Sequence, residues 1–121
     1  MAFWTGGITV SGTGSQSFTG IGFQGNDITF RVGAKNGSSS VVQYCNGTAD
    51  GTRQNCESIF GDGSGWKSNR TNSFCVVHYE RVSGTVTEVL KFAFTSFDAD
   101  GFTLNVTTSN TNYNVDVEVR S

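Results

Sequence analysis

The stretch Thr85–Thr107, TVTEVLKFAFTSFDADGFTLNVT, decides the fold. Leu90, Phe92 and Phe94 alternate with Lys91, Ala93 and Thr95. Phe102, Leu104 and Val106 alternate with Thr103, Asn105 and Thr107. A period of two marks a strand with one buried face. Asp98-Ala99-Asp100-Gly101 lies between the runs, and two alternating runs around an Asp-Gly turn predict a β-hairpin. Its apolar side chains then share one sheet face and form the centre of a core. The phase slips at Thr95–Phe97, because Phe97 is an odd position after three even ones. A β-bulge there restores the pairing.

Working outward, Trp4–Val10 reads as a first strand and Gln16–Thr19, around Phe18, as a short second one. Gly20 and Gly22 flank Ile21 and suit a tight bend or close backbone approach. Ile28, Phe30 and Val32 alternate as a third strand, and Val41–Cys45 follows the Asn36-Gly37-Ser38-Ser39-Ser40 loop as a fourth. Phe74–Val82 is a fifth, ending at the Ser83-Gly84 turn. In Tyr113–Arg120 Val115, Val117 and Val119 face inward.

Residues 46–72 break this rhythm. They hold Asn46-Gly47, Asp50-Gly51, Gly61-Asp62-Gly63 and Gly65, with only Ile59, Phe60 and Trp66 as apolar anchors. The reading is a long irregular loop, which in a small domain is functional or hides short strands. About eight strands and no helix then predict an all-β fold, an antiparallel β-sandwich of jelly-roll type, as one domain over residues 1–121.

Composition agrees. The chain has 121 residues, 16 Gly, no Pro, ten Phe, three Tyr and two Trp, with 36% hydrophobic and 15% charged residues. Scattered aromatics at strand-like spacing exclude a disordered chain. A net charge of −2 without a basic patch argues against nucleic acid as a partner. No run is long enough to span a membrane. MAFWTGGITV lacks the basic-then-apolar pattern of a signal peptide, so synthesis in a cytoplasm without export is expected.

Gly12-Thr13-Gly14-Ser15-Gln16-Ser17-Phe18-Thr19-Gly20-Ile21-Gly22-Phe23, followed by Ile28-Thr29-Phe30, resembles the opening of small β-rich virion proteins of tailed bacteriophages. Phe97-Asp98-Ala99-Asp100-Gly101-Phe102-Thr103-Leu104 is similar to their late hairpin. Many of those proteins carry a Pro soon after the Gly-Phe, where Gly25 and Asn26 stand here. The resemblance implies a structural part of a phage particle, with no catalytic residues to carry over. Within that class a capsid decoration (cement) subunit fits a small single domain best. Its partners would be the major capsid protein and its own copies, with a trimer the expected cluster. A tail-fibre or tail-tip receptor-binding subunit and a carbohydrate-binding lectin are the alternatives.

The residues offer little chemistry. His78 and Glu80 share a strand face and would suit acid/base work, or simply pack. No nucleophile motif or phosphate-binding glycine loop accompanies them, so an enzyme is not expected. Cys45 and Cys56 are spaced for a disulfide across the start of the irregular segment, against which stands the missing export signal; Cys75 reads as a buried thiol. Asp98-x-Asp100-Gly101 is similar to the start of a Ca²⁺ loop, but Phe102 and Leu104 stand where ligands are needed. It reads as an Asx-type turn, and Gly61-Asp62-Gly63 is weaker still. No metal or cofactor is expected. Trp66, Lys67, Asn69 and Arg70 form the best contact candidate, an aromatic among polar residues that can hold a neighbouring subunit or a sugar. The competing reading makes Trp66 a plug for its own loop.

Overall fold

The computed structural model describes residues 1–33, 43–61, 65–82 and 84–121. Among the described residues there are ten strands and no helix. In chain order they are β1 (Phe3–Val10), β2 (Gly14–Thr19), β3 (Asp27–Gly33), β4 (Gln43–Ala49) and β5 (Gln54–Gly61). Then come β6 (Trp66–Thr71), β7 (Val76–Val82), β8 (Thr85–Asp98), β9 (Gly101–Ser109) and β10 (Tyr113–Arg120). Two antiparallel sheets result. The larger has the order β1-β10-β3-β4-β5-β6, the smaller β2-β9-β8-β7. The expected loop Asn36–Ser40, residues 41–42 of the expected fourth strand, Asp62 and Gly63 of the glycine cluster, and Ser83 lie outside the described residues.

The β8–β9 hairpin is the centre of the smaller sheet. Leu90, Phe92, Phe102, Leu104 and Val106 are buried, and Phe94 packs half-buried against them. The register shifts between Phe94 and Ser96, where Thr95 is the extra residue. The bulge read from the phase slip is therefore present. Across the core Phe30 of β3 meets Phe92 edge-on at 5.2 Å and Phe102 at 6.3 Å. Such pairs add about 0.5–1.5 kcal/mol each beyond the area they bury.

The irregular loop over 46–72 is corrected: this span completes β4 and contains β5 and β6, an antiparallel meander. Asn46-Gly47 is not a turn but strand interior, with Gly47 opposite Cys56. Its glycine is demanded by packing. A Cβ on Gly47 would sit 1.6 Å from the carbonyl oxygen of Cys75. That oxygen occupies the place of a side chain where β7 approaches β4. The chain turns instead at Asp50-Gly51, where Asp50 Oδ1 accepts the amides of Thr52 (2.9 Å) and Arg53 (2.7 Å).

Gly101 has a similar role. It pairs with Asp98 across the hairpin and with Thr19 of β2, and its Cβ would lie 1.8 Å from the Phe18 carbonyl oxygen. Just beyond, Gly20 and Gly22 bend the chain at φ of 96° and 88°, conformations only glycine adopts easily.

Candidate functional site

Trp66, Lys67, Asn69 and Arg70 all lie on β6, an edge strand whose first five residues are exposed. They do not form one cluster. Alternation along a strand sends Trp66, Ser68 and Arg70 to the outer face of the large sheet and Lys67 and Asn69 to the other. Arg70 stands opposite Glu57 and pairs with it at 2.9 Å. Asn69 Nδ2 donates to the Tyr79 hydroxyl at 2.8 Å, tying the overhanging edge to the smaller sheet. Phe60 stacks on Tyr79 at 4.7 Å and fills the same corner. Trp66 is 63% exposed, so the plug in this corner is Phe60, and the indole faces solvent.

The outer face of the large sheet carries features that sequence reasoning missed. Thr29, Asn46, Thr48 and Asn55 line a shallow groove of about 590 Å³ closed at one side by the Glu57–Arg70 pair. Further along, Arg31 meets Glu118 at 3.1 Å, and Arg120 meets Glu118 at 3.3 Å and Asp27 at 2.6 Å. Exposed pairs of this kind contribute about 0–1 kcal/mol each to stability. The groove presents amides and hydroxyls that can hydrogen-bond a polar ligand. The signal for it was the outward-facing polar set of β3 and β4, visible only once β5 was known to lie beside β4.

His78 and Glu80 are both fully buried, with Nε2 and Oε2 3.2 Å apart. The Tyr113 hydroxyl, from β10 in the other sheet, also hydrogen-bonds Glu80. Burial holds the His78 pKa below its ordinary value, with the charge and hydrogen bond of Glu80 pulling it back up. Burial likewise pushes the Tyr113 phenol up, reinforced by Glu80. A substrate cannot reach these side chains; they form a polar tether between the sheets.

Cys45, Cys56 and Cys75 are buried, and the structure has all three as free thiols. Cys45 pairs with Ser58, and Cys56 with Gly47, so the two cysteines are diagonal neighbours. A thiol–thiol hydrogen bond joins them. It draws Cys45 down to about 7 against the effect of burial and pushes Cys56 up. Burial raises Cys75 as well. Ser58 Oγ donates to the Val77 carbonyl in the same seam.

Both hairpin aspartates have protein partners. Asp98 accepts from Ser96 at 2.8 Å and Thr103 at 2.6 Å, which lowers its pKa. Asp100 accepts the amides of Gly20 and Gly22 at 3.1 and 2.7 Å. The two carboxylates thus serve different neighbours. No protein-family model, no curated protein and no solved structure matches this chain.

Proposed function

We propose that this chain is a structural virion protein, a capsid decoration subunit that stabilises a phage head through contacts with the major capsid protein and its own copies. In this reading it is made in the host cytoplasm, joins the particle, and has no catalytic role. The carrying observation is the placement of exposed aromatics. Phe3 on β1 is 57% exposed and Trp66 on β6 is 63% exposed, at the two opposite edges of one six-stranded sheet. A plate with an apolar contact at each end can bridge two neighbours. Repeated around a shell, that linkage raises particle stability by mass action. The nested pairings β1–β10 and β2–β9 support the jelly-roll architecture common in viral shells; β3–β4 and β7–β8 depart from it. Threefold clusters remain the expected arrangement. The test is location in purified particles and heating of particles that lack the protein. Assembly should persist, and bursting should occur at lower temperature; a tail-only location sinks the reading.

A second reading, a carbohydrate-binding module, is favoured by one observation. Trp66 lies on the same sheet face as Arg70 and the polar groove beside it. Selective binding on a glycan array by the soluble protein, lost in Trp66→Ala, would replace the decoration reading.

A further inference from the structure

We propose that the edge of β1, which pairs with no other strand among the described residues, is a self-association surface, pairing antiparallel with β1 of a second copy so that the two six-stranded sheets join into one. This does not depend on the virion reading.

The Ser121 amide donates to the Ala2 carbonyl at 3.1 Å, so Ala2 and Ser121 are a hydrogen-bonded pair of the β1–β10 ladder. Such pairs alternate with non-bonded ones in an antiparallel ladder. The register Phe3↔Arg120 through Val10↔Tyr113 then assigns Trp4, Gly6, Ile8 and Val10 to β10. The backbone amides and carbonyls of Phe3, Thr5, Gly7 and Thr9 point away, toward the open edge. The Thr9–Asn114 side-chain hydrogen bond at 3.1 Å fits, because side chains approach most closely at non-bonded pairs.

Edge strands are ordinarily guarded by charge, proline or a bulge. β1, FWTGGITV, has no charge and no proline, and it pairs in continuous register. The other edges differ. β6 carries Lys67 and Arg70, and β7 carries Arg81. β2 is shorter, and its Gln16 side chain folds back onto the Ser11 and Gly12 carbonyls at 2.8 and 3.1 Å. A second copy fits β1 for two reasons. An uncharged strand meets no like charge in its own copy. And the outward residues are symmetric about Gly6: a twofold axis there matches Phe3 with Thr9 of the copy and Thr5 with Gly7, satisfying every outward group. The same register sets Trp4 beside the copy's Ile8. Both lie over the groove of about 390 Å³ between β1 and β2, lined by Trp4, Ile8, Phe18, Ile21 and Phe102. Trp4 already folds over Gly6, with its ring 2.7 Å from where a Cβ would stand, so the two indoles meet at the axis. The pairing closes as a dimer; a threefold cluster would use another surface.

The test is sedimentation velocity over a wide concentration range, with amide exchange followed by NMR at both ends. The expected result is a concentration-dependent dimer in which the Phe3, Thr5, Gly7 and Thr9 amides become protected. Gly7→Pro removes an outward donor without touching the β10 ladder, and should weaken dimerisation at least about tenfold. A monomer at every concentration overturns the proposal. So does a dimer in which those four amides exchange as in the monomer, or a folded Gly7→Pro variant that dimerises like the wild type.

Discussion

The carboxylate of Asp100 holds the amide of Gly22 at 2.7 Å, joining the hairpin turn to a bend 78 residues earlier in the chain. The backbone carbonyl of Asp100 accepts from Gly20 at 3.0 Å and Ile21 at 3.2 Å, so one residue collects the bend from both sides. Gly12–Phe23 and Phe97–Leu104, far apart in the sequence, are therefore joined in one three-dimensional unit. Asp100→Ala should cost about 1–2 kcal/mol in urea unfolding, the scale of charge-assisted hydrogen bonds reduced by solvent exposure. A change near zero would mean that the carbonyl alone holds the bend.

Gly47→Ala should be among the most damaging single-methyl changes in the protein. The added Cβ meets the Cys75 carbonyl, which is backbone and cannot rotate away. The sheets must separate locally, and a loss of about 3 kcal/mol or more is expected. Gly33→Ala is the control, since none of the described residues lies within 4 Å of its Cβ position. It should stay within about 0.5 kcal/mol of wild type or gain slightly.

His78 makes stability depend on pH in a defined direction. Its folded pKa lies below the ordinary 6.5 because burial penalises the imidazolium. As pH falls below that value the unfolded chain binds more protons than the folded one, so stability falls with it. The contribution is complete above about pH 6.5 and is lost as pH drops through the folded value. Cys45, drawn down to about 7, adds a decline of the same sign near and above that value. Urea melts between about pH 6.5 and about pH 5 are therefore the ones that should show the His78 decline. Asp50 and Asp98, also lowered, act only near and below their ordinary 3.8. His78→Gln should flatten the decline above the carboxylate range; an unchanged slope would assign it elsewhere.

Trp66→Ala separates stability from contact. The indole is mostly exposed, so the melting temperature should hardly move. If Trp66 anchors a neighbour, particle binding should weaken by about 2 kcal/mol or more, as truncated hot spots do. Normal binding by the variant would remove β6 from the contact surface.

Phe92→Ala should cost about 3–5 kcal/mol by calorimetry or urea unfolding, because Phe92 is fully buried against Phe30. A cost below about 1 kcal/mol would mean the core collapses readily around the hole.

What the sequence discloses depends on whether a strand has one dry face. β8, β9 and β10 do, and their alternation yields the hairpin, its bulge and the closing strand. β5 and β6 do not. Gln54, Asn55, Glu57 and Ser58 in β5, and Lys67, Ser68, Asn69 and Arg70 in β6, leave no apolar rhythm to read. β6 overhangs the smaller sheet, so burial imposes no pattern on it. Asn46-Gly47 misled for another reason: glycine punctuates turns, but it also makes room for a passing carbonyl, and sequence does not distinguish the two. The contact candidate suffered likewise. Neighbours within a loop stay neighbours, whereas a strand sends alternate residues to opposite faces. The His78–Glu80 pair was visible, but its third member, Tyr113, lies in the other sheet and only the packing brings it in.

The pairing of β1 with β10 and of β2 with β9 also bears on how the chain reaches this structure. Among the described residues, both opening strands find their ladders only in the two closing ones. Neither can be held in place until almost all of the intervening chain has been brought into a small volume, and the entropy of closing so long a loop must be met before any reward arrives. Domains wired in this way fold in about milliseconds to seconds rather than microseconds. Throughout that interval FWTGGITV stays exposed, uncharged and unpaired, free to meet the same segment of another molecule. Refolding yield should therefore fall as protein concentration rises.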